Sequence, residues 1–149
     1  MTLRIYDSNN VQVMICGIPI DVDSGGSGGY ADDEFLTIEK ESDDFTDVAG
    51  TDGEVSRSKT NDARATVTLK LMQTSLSNKK LAALRLMDIN ADNGAGVGAL
   101  QVKDANGLSL YTAFECWIQA PPAVSFGRAA GTREWKVRVG KLIDFTGGN

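Results

Sequence analysis

The sequence predicts a mainly β, α+β fold: an antiparallel β-sandwich or barrel with one packed α-helix. Three observations favour this class. Apolar and polar residues alternate with period two in most segments, one segment has helical spacing, and the order along the chain is strands, one helix, then strands. With 149 residues, 42% of them hydrophobic, the chain fits a single domain, residues 1–149, with a substantial core.

Four strands are predicted before the helix. VQVMICG and IPIDV form a first hairpin or a bent strand around Gly17, and EFLTIEKE and RATVTLKLM each have one apolar and one polar face. On the polar face of the latter two lie Thr37, Glu39, Thr66, Thr68 and Lys70. Such a face is simply solvated in an ordinary antiparallel sheet. If subunits join their sheets edge to edge, the same face lines a shared water-filled channel.

A long polar segment from Ser42 to Asp62, SDDFTDVAGTDGEVSRSKTND, separates EFLTIEKE from RATVTLKLM. It is too hydrophilic to form a core element by itself, and Gly50 and Gly53 are its turn points. Loops of this length inside a compact domain are uncommon and usually functional. We therefore expect residues 42–62 to have a functional role.

One helix is predicted in SLSNKKLAALRLMDIN, with Ser77 as its N-cap. Leu81, Leu84 and Met87 form its apolar stripe, which we expect to pack against a sheet.

Three strands are predicted after the helix. GALQVKDANGLSLYTAFECWIQAPP contains two strands joined at Asn106-Gly107, a strong hairpin signal, and Pro121-Pro122 ends the second. REWKVRVGKLIDF then alternates Trp135, Val137 and Val139 against polar residues, which predicts one long closing strand before the tail TGGN.

Charge and cysteine content restrict the classes of partner. A net charge of −5 and a pI near 4.7 argue against tight binding of nucleic acid or of an anionic membrane, because both need a basic surface. MTLRIYDSNN lacks the apolar run of a signal peptide, so we expect synthesis in a cytoplasm. Cys16 and Cys116 match no zinc or redox spacing, which predicts two buried thiols in a reducing compartment and no disulfide.

Two motifs suggest chemistry and are incomplete. Gly25-Gly26-Ser27-Gly28-Gly29 satisfies the G-x-S-x-G pattern of serine hydrolases, but the chain contains no histidine to activate Ser27. DINADNG imitates the start of an EF-hand loop, yet Asn93 stands where glycine is needed and Ala99 where glutamate is needed. We therefore expect no enzyme, no catalytic residue, no cofactor and no metal site, and interpret the glycine-rich segment as a loop.

Several segments and short motifs occur in collinear order over nearly the whole chain. The segments are GTDGEVSRSKTNDARATVTLKLMQTSLSNKKLAAL, VKDANGLSLYTAFECWIQAPPAVSFG and REWKVRVGKLIDFTGGN. The motifs are Asp52-Gly53-Glu54, Gln73-Thr74-Ser75 with Asn78, Trp117 with Pro121-Pro122, Ser125-Phe126-Gly127, Arg133-Glu134-Trp135 and Gly147-Gly148-Asn149. Together they resemble the tail tube proteins of contractile-tailed bacteriophages, a small family of phage structural or tube proteins.

This resemblance implies a structural subunit of the virion. Tube proteins of this kind form hexameric rings that stack into a hollow tube inside a contractile sheath, and their inner sheets join into a ring-wide β-barrel. The lumen holds the tape-measure protein and later passes DNA. An acidic lining would repel the DNA phosphates, so the DNA would not bind to it. The further partners implied are the sheath protein and a baseplate or tail initiator, with assembly in the host bacterial cytoplasm and no membrane binding.

The resemblance also suggests roles for individual residues. On this basis, residues 42–62 are expected to form an inter-ring loop, and both chain ends are expected to be short arms that reach neighbouring subunits. Lys70 is expected either to face the lumen or to pair with Glu39 across strands. The expected inter-ring or inter-subunit contacts are Asp43, Asp44, Asp47, Asp52, Glu54, Arg57 and Lys59. The expected lumen residues are Thr37, Glu39, Thr66, Thr68 and Lys70, and the expected sheath-facing residues are Lys79, Lys80 and Arg85.

Two alternatives remain open at this point. A tube subunit of a secretion system would share the fold and the ring. A monomeric β-sandwich binding module, calcium-dependent through DINADNG, would stay small at high concentration and change stability with a chelator.

Overall fold

Ten strands and one helix make up the part of the chain that the computed structural model describes, residues 3–7, 10–20, 34–91 and 93–148. Before the helix lie β1 (Val11–Ile15), β2 (Ile18–Ile20), β3 (Leu36–Lys40), β4 (Phe45–Ala49), β5 (Val55–Lys59) and β6 (Ala65–Met72). The helix α1 (Ser77–Asn90) is followed by β7 (Gly98–Asp104), β8 (Ser109–Ala120), β9 (Thr132–Val139) and β10 (Ile143–Phe145). The predicted α+β class with mainly β structure is confirmed.

Eight of these strands form one antiparallel sheet in the order β2-β1-β7-β8-β9-β6-β3, with β10 paired to β8. Of the hairpin and the bent strand considered around Gly17, the structure has the hairpin, in which β1 pairs with β2. The predicted hairpin across Asn106-Gly107 is confirmed, since β7 pairs with β8. β4 and β5 form a separate two-stranded sheet.

The core is built from the period-two alternation of β6 and β9. Val67 lies opposite Val137, and Leu69 lies opposite Trp135, all of them buried on the same face. Burying an aliphatic side chain of this size contributes about 1.5–3 kcal/mol each. Residues from β1 and β2, at the other end of the strand order, belong to the same core cluster. The sheet is therefore folded over on itself and encloses one core.

The closing strand is interrupted, contrary to the prediction of one continuous strand. β9 ends at Val139. The Gly140 N–H donates to the carbonyl of Glu115, whereas the Leu142 N–H donates to the carbonyl of Ala63. β10 then resumes along the same edge of β8, with Ile143 opposite Thr112. The buried side chain of Leu142 explains the break, because it joins the core instead of following the strand.

The helix begins at Ser77, but Ser77 is not its N-cap. The Ser77 side chain is fully buried, and the N–H of Ser77 donates to the hydroxyl of Ser75. The predicted apolar stripe is also only partly correct: Leu81 is fully buried, Leu84 is half-buried, and Met87 is 49% exposed. The helix thus contacts the core through its first turns, and its C-terminal part is turned toward solvent.

A polar contact attaches the start of the helix to β9. The indole Nε1–H of Trp135 donates to Oδ1 of Asn78 at 2.9 Å, and Nδ2 of Asn78 donates to the carbonyl of Met72 at 2.9 Å. Gln73 and Gly131 exchange further hydrogen bonds next to this contact. Asn78 therefore connects the end of β6, the start of α1 and the start of β9.

We predict that Asn78→Ala lowers the free energy of unfolding by about 1–3 kcal/mol, because it leaves the largely buried Trp135 N–H without its acceptor. Urea unfolding followed by tryptophan fluorescence measures this loss. Asn90→Ala, at the exposed end of the same helix, is the control and should change stability by less than about 0.5 kcal/mol. Equal effects of the two substitutions would contradict the proposed anchoring role.

Candidate assembly surfaces

The predicted loop of residues 42–62 contains a β-hairpin formed by β4 and β5. All ten strand residues are exposed, so the hairpin has no face in the core. The expectation that the segment forms no core element is met, but the description as a loop was wrong. Strand pairing satisfies the backbone groups that face the partner strand, although it buries none of the strands' side chains.

The tip of the hairpin is a tight turn between Ala49 and Val55. The Gly50 N–H donates to the Glu54 carbonyl at 2.7 Å, and the Asp52 carboxylate accepts the Glu54 N–H at 3.1 Å. Gly53 has a φ of 87°, which favours glycine over any other residue. Asp52 and Glu54 therefore stand at the most distal point of a defined turn.

The strands of the hairpin combine charge with apolar surface. Asp47 lies opposite Arg57, and the Arg57 guanidinium lies 4.3 Å from the centre of the Phe45 ring. Phe45 is 47% exposed, Val48 71% and Val55 62%. Sequence reasoning identified the charged residues and missed these three apolar ones, although β-branched and aromatic residues in FTDVA and EVSRSK are a strand signal.

The base of the hairpin is held by polar contacts at both ends of the predicted segment. The Ser42 hydroxyl donates to Asp62 at 3.1 Å, and Arg64 donates to Asp62 from its backbone N–H and its guanidinium. The Arg64 guanidinium holds the pKa of the Asp62 carboxyl well below its usual range. Lys40 pairs with Asp44, which raises the pKa of the Lys40 ammonium.

The structure thus collects all seven predicted contact residues on one projecting element, and all seven are exposed. Asp43 and Asp44 lie at its base, and Asp52 and Glu54 lie at its tip. Along its strands lie Asp47, Arg57 and Lys59.

A second surface is the polar face of β3, β6 and β9. The register aligns Thr37 with Thr68 and Lys136, and aligns Glu39 with Thr66 and Arg138. All five residues expected to face a lumen therefore share one face of the sheet. The expected pairing of Lys70 with Glu39 is wrong, because Lys70 lies opposite Glu134, four residues along β6 from the partner of Glu39.

The polar face includes a network that sequence reasoning missed. Arg138 donates to the Glu41 carboxylate at 2.8 Å and to the Thr66 hydroxyl at 3.0 Å, and Thr66 donates to the same carboxylate oxygen. The acidic side chains of this face are Glu39, Glu41 and Glu134, and the basic ones are Lys70, Lys136 and Arg138. The face is therefore balanced in charge, in contrast to the net charge of −5 of the whole chain.

The basic residues of the helix differ in exposure. Lys79 and Lys80 are exposed, whereas Arg85 is half-buried. Lys79 and Arg85 border a groove of about 400 Å³ between the helix and the segment after β8, which Leu86 and Pro122 also line. This groove is a further surface that the sequence did not indicate.

The two ends of the described chain meet at the β7–β8 turn. The Asn106 side chain exchanges hydrogen bonds with the backbone of Asp7, and the Gly147 N–H donates to the Ser109 hydroxyl at 2.9 Å. Leu3 and Ile5 nevertheless remain largely exposed. Both ends are thus attached near one turn, and the N-terminal end presents apolar side chains to solvent.

The two motifs considered for chemistry lie partly or wholly outside the described residues. Ser27 and its glycine-rich segment lie in residues 21–33, which are outside the described residues. Asp92, in the DINADNG motif, is also outside the described residues. Asp88 accepts the N–H of Gly96 at 3.2 Å and so fastens the turn that follows the helix. Across the described residues, no group of three His, Cys, Asp or Glu side chains is placed to hold a metal ion. Nor does that part of the chain contain a helix long and apolar enough to cross a membrane.

Comparison with known proteins agrees with this architecture. The chain is 31% identical over 121 residues to the structural protein ORF10 of Pseudomonas phage KPP10, a match that covers 81% of this chain and 70% of the relative. Two cryo-EM structures share its fold at low sequence identity. The sheath-tube complex of an extracellular contractile injection system (PVC) in its extended state matches with a TM-score of 0.59, 9% identity and coverage of 95% of this chain and 91% of that one.

The second cryo-EM structure is that of the anti-feeding prophage cap, the tube terminating cap. It matches with a TM-score of 0.58 and 6% identity, and the match covers 98% of this chain and 94% of that one. Such low identities establish the fold alone. Family membership comes from the sequence match, because residues 3–147 fit the family model of the bacteriophage PhiTE tail tube protein. The exposed hairpin, the open polar face and the collinear motifs are thus features of a phage tail tube subunit, and the chain belongs to the bacteriophage PhiTE tail tube protein family.

Proposed function

We propose that this tail tube subunit forms hexameric rings that stack into a hollow tube inside a contractile sheath. The single observation that carries the proposal is the β4–β5 hairpin, whose strand residues are all exposed and include Phe45, Val48 and Val55. An isolated two-stranded hairpin is marginally stable in water. Contact with a neighbouring subunit would bury these apolar side chains, and the surrounding charges would set the register between rings.

Lateral contacts are assigned to the edges of the large sheet. Among the described strands, β2 and β3 end the strand order, so each has one edge without a neighbour. Unpaired edges invite association with another chain. Joining these edges between subunits would continue the sheets around the ring into a common β-barrel, and the two chain ends would act as arms on adjacent subunits.

The polar face of β3, β6 and β9 is assigned to the lumen. Threonine hydroxyls and balanced charges line it, including Thr37, Thr68 and Lys136. Tight DNA binding requires a surplus of Lys and Arg against the phosphates, and this face has none. Such a lining would hold the tape-measure protein before ejection and pass DNA transiently and without sequence preference afterwards.

The helix is assigned to the outside of the tube, where the sheath lies. Lys79 and Lys80 are exposed there, and Arg85 borders the groove next to the helix. A baseplate or tail initiator would start the stacking. The role is structural and needs no catalyst, and assembly would take place in the host bacterial cytoplasm before the tube becomes part of the virion.

A tube subunit of a secretion-type injection system is the second candidate. The fold likeness to an extracellular contractile injection system supports it, although at 9% identity. Genes for a sheath and a tape-measure protein next to this one would favour the phage tail. A neighbouring ATPase gene with effector genes would favour the secretion system.

Electron microscopy of the purified full chain at high concentration tests the assembly. We expect six-fold rings that stack into hollow tubes, either from the chain alone or after addition of baseplates that carry the initiator. A chain that stays monomeric under both conditions would contradict the proposal.

Charge reversal tests the hairpin as the inter-ring contact. We predict that Glu54→Lys and Arg57→Glu each reduce tube length or abolish tubes, because both place like charge against the complementary surface of the next ring, and that the monomer keeps its Tm within about 2 °C. Glu54→Asp and Arg57→Lys keep the charges and should form tubes as the unmodified chain does. Normal tubes from both reversed variants would refute this assignment.

The ion pair at the hairpin base gives a separate prediction. Asp62→Asn removes the carboxylate that Arg64 and Ser42 bind, so amide hydrogens of β4 and β5 should exchange roughly tenfold faster, with no change in β6. Because the pKa of Asp62 is lowered in the folded chain, this contribution is present above the ordinary carboxyl pKa and is lost as pH falls toward the lowered one.

Asp43→Asn, the same chemical change at a nearby exposed position, is the control for hydrogen exchange. Faster exchange in both variants would show that general charge, not the Asp62–Arg64 contact, controls the hairpin.

A further inference from the structure

Cys16 and Cys116 are far apart in sequence but adjacent in the fold. Their Sγ atoms lie 3.2 Å apart, and the Cys16 thiol also lies within hydrogen-bond distance, 3.2 Å, of the Cys116 carbonyl. Both are free thiols, with Cys116 buried and Cys16 half-buried. The expectation that both thiols are buried is therefore correct for Cys116 and only partly correct for Cys16. A disulfide would require the sulfurs to approach by only about 1 Å more.

The backbone at Cys16 is unusual for a cysteine. Cys16 and Gly17 form the two-residue turn between β1 and β2, with φ values of 53° and 81°. Turns of this type favour Asn, Asp or Gly at the first position, because a side chain in the left-handed region costs free energy. Turn chemistry thus does not account for a cysteine here, whereas its contact with Cys116 does.

Gly98 allows the turn to sit this close. Gly98 is the β7 partner of Cys116, and a Cβ at this position would lie 2.7 Å from the carbonyl carbon and oxygen of Cys16. The Gly17 N–H donates to the carbonyl of Ala99 at 3.1 Å, next to an irregularity in the β7–β8 pairing. Three strands therefore hold the two thiols together before any bond is formed.

We propose that Cys16 and Cys116 form a redox modification site, at which a peroxide oxidant produces an intrachain disulfide that fastens the β1–β2 turn to β8. One thiolate sulfur attacks an oxygen of hydrogen peroxide, the O–O bond breaks, and a sulfenic acid and hydroxide form. The second sulfur attacks the oxidised sulfur and displaces its hydroxyl. The two thiols lose two protons and two electrons in total, and the peroxide leaves as two waters.

The hydrogen bond between the thiols favours this chemistry. It lowers the pKa of the Cys116 thiol and raises that of Cys16, because the Cys16 S–H stabilises a thiolate on its neighbour. Thiolates are the reactive form, so the crosslinking rate should rise with pH.

The biological setting of the site rests on the proposed function. A tube assembled in a cytoplasm is reduced, and a released virion leaves that reducing environment. The crosslink itself is a property of the single chain and is tested on it. Failure of the crosslink would leave the tube assignment standing, and failure to form tubes would leave the crosslink standing.

The test is oxidation of the purified, reduced full chain with hydrogen peroxide, followed by intact mass and thiol counting. We expect a monomer that has lost the mass of two hydrogen atoms, a Cys16–Cys116 linked peptide after digestion, and a Tm higher by roughly 5–15 °C that a thiol reductant reverses. Crosslinking should be at least about tenfold faster in buffer than in urea, because the fold supplies the proximity.

Matched variants test whether crosslinking depends on the position of the two thiols in the fold or only on their presence. Cys16→Ser and Cys116→Ser should each form no intrachain disulfide. Gly98→Ala keeps both thiols but displaces the turn, so crosslinking should slow roughly tenfold. Gly127→Ala is the control, because a Cβ there would meet no atom within 4 Å.

Three results would overturn the proposal. They are intermolecular dimers as the main product, oxidation that stops at single-cysteine acids, and a folded chain that crosslinks no faster than the unfolded one.

Discussion

The pairing of β6 with β9 is the constraint on which the rest of the structure depends. Eight consecutive residue pairs run from Ala65 with Val139 to Met72 with Thr132, and the apolar side chains of both strands lie in the core except that of Met72, which is 43% exposed. Because side chains alternate across a strand, the same register places the polar ones on the opposite face, with the exception of the buried Arg133. β3 extends that face on one side, and Trp135 holds the helix through Asn78. A shift by one residue would exchange core and polar face together.

The core and the exposed hairpin thereby occupy different parts of the chain. The core cluster lies in the large sheet and the first turns of the helix, whereas the β4–β5 hairpin contributes no side chain to it. The hairpin is fastened at its base by polar contacts of Asp62, so it can be held in a fixed direction without being packed. Substitutions on it can change this exposed surface with little effect on the core. That separation suits a subunit that must fold first and assemble afterwards.

The two cysteines illustrate how a local cost can have a distant cause. Cys16 occupies a left-handed turn position that glycine or asparagine would occupy at lower cost, and Gly98 provides the space that the turn needs. Local strand or turn preferences explain neither the cysteine at position 16 nor the glycine at position 98. Both follow from the position of Cys116 on β8, which the β7–β8 register brings under the turn. A covalent bond between these thiols would join strands that otherwise depend on hydrogen bonds and packing alone.

The sequence by itself determined the elements whose signals are local. Alternation predicted β6 and β9, Asn106-Gly107 predicted the β7–β8 hairpin, and the collinear motifs indicated the family. Only the tertiary structure decided which distant segments meet: that Glu41 pairs with Arg138, that Leu142 interrupts the closing strand, that Ser77 is buried and that the thiols touch. The physical reason is that periodicity and turn preferences act over a few residues, whereas strand order and register are set by the burial of one shared core. The hairpin of residues 42–62 escaped prediction because its strands bury nothing within the chain and so carry no apolar alternation.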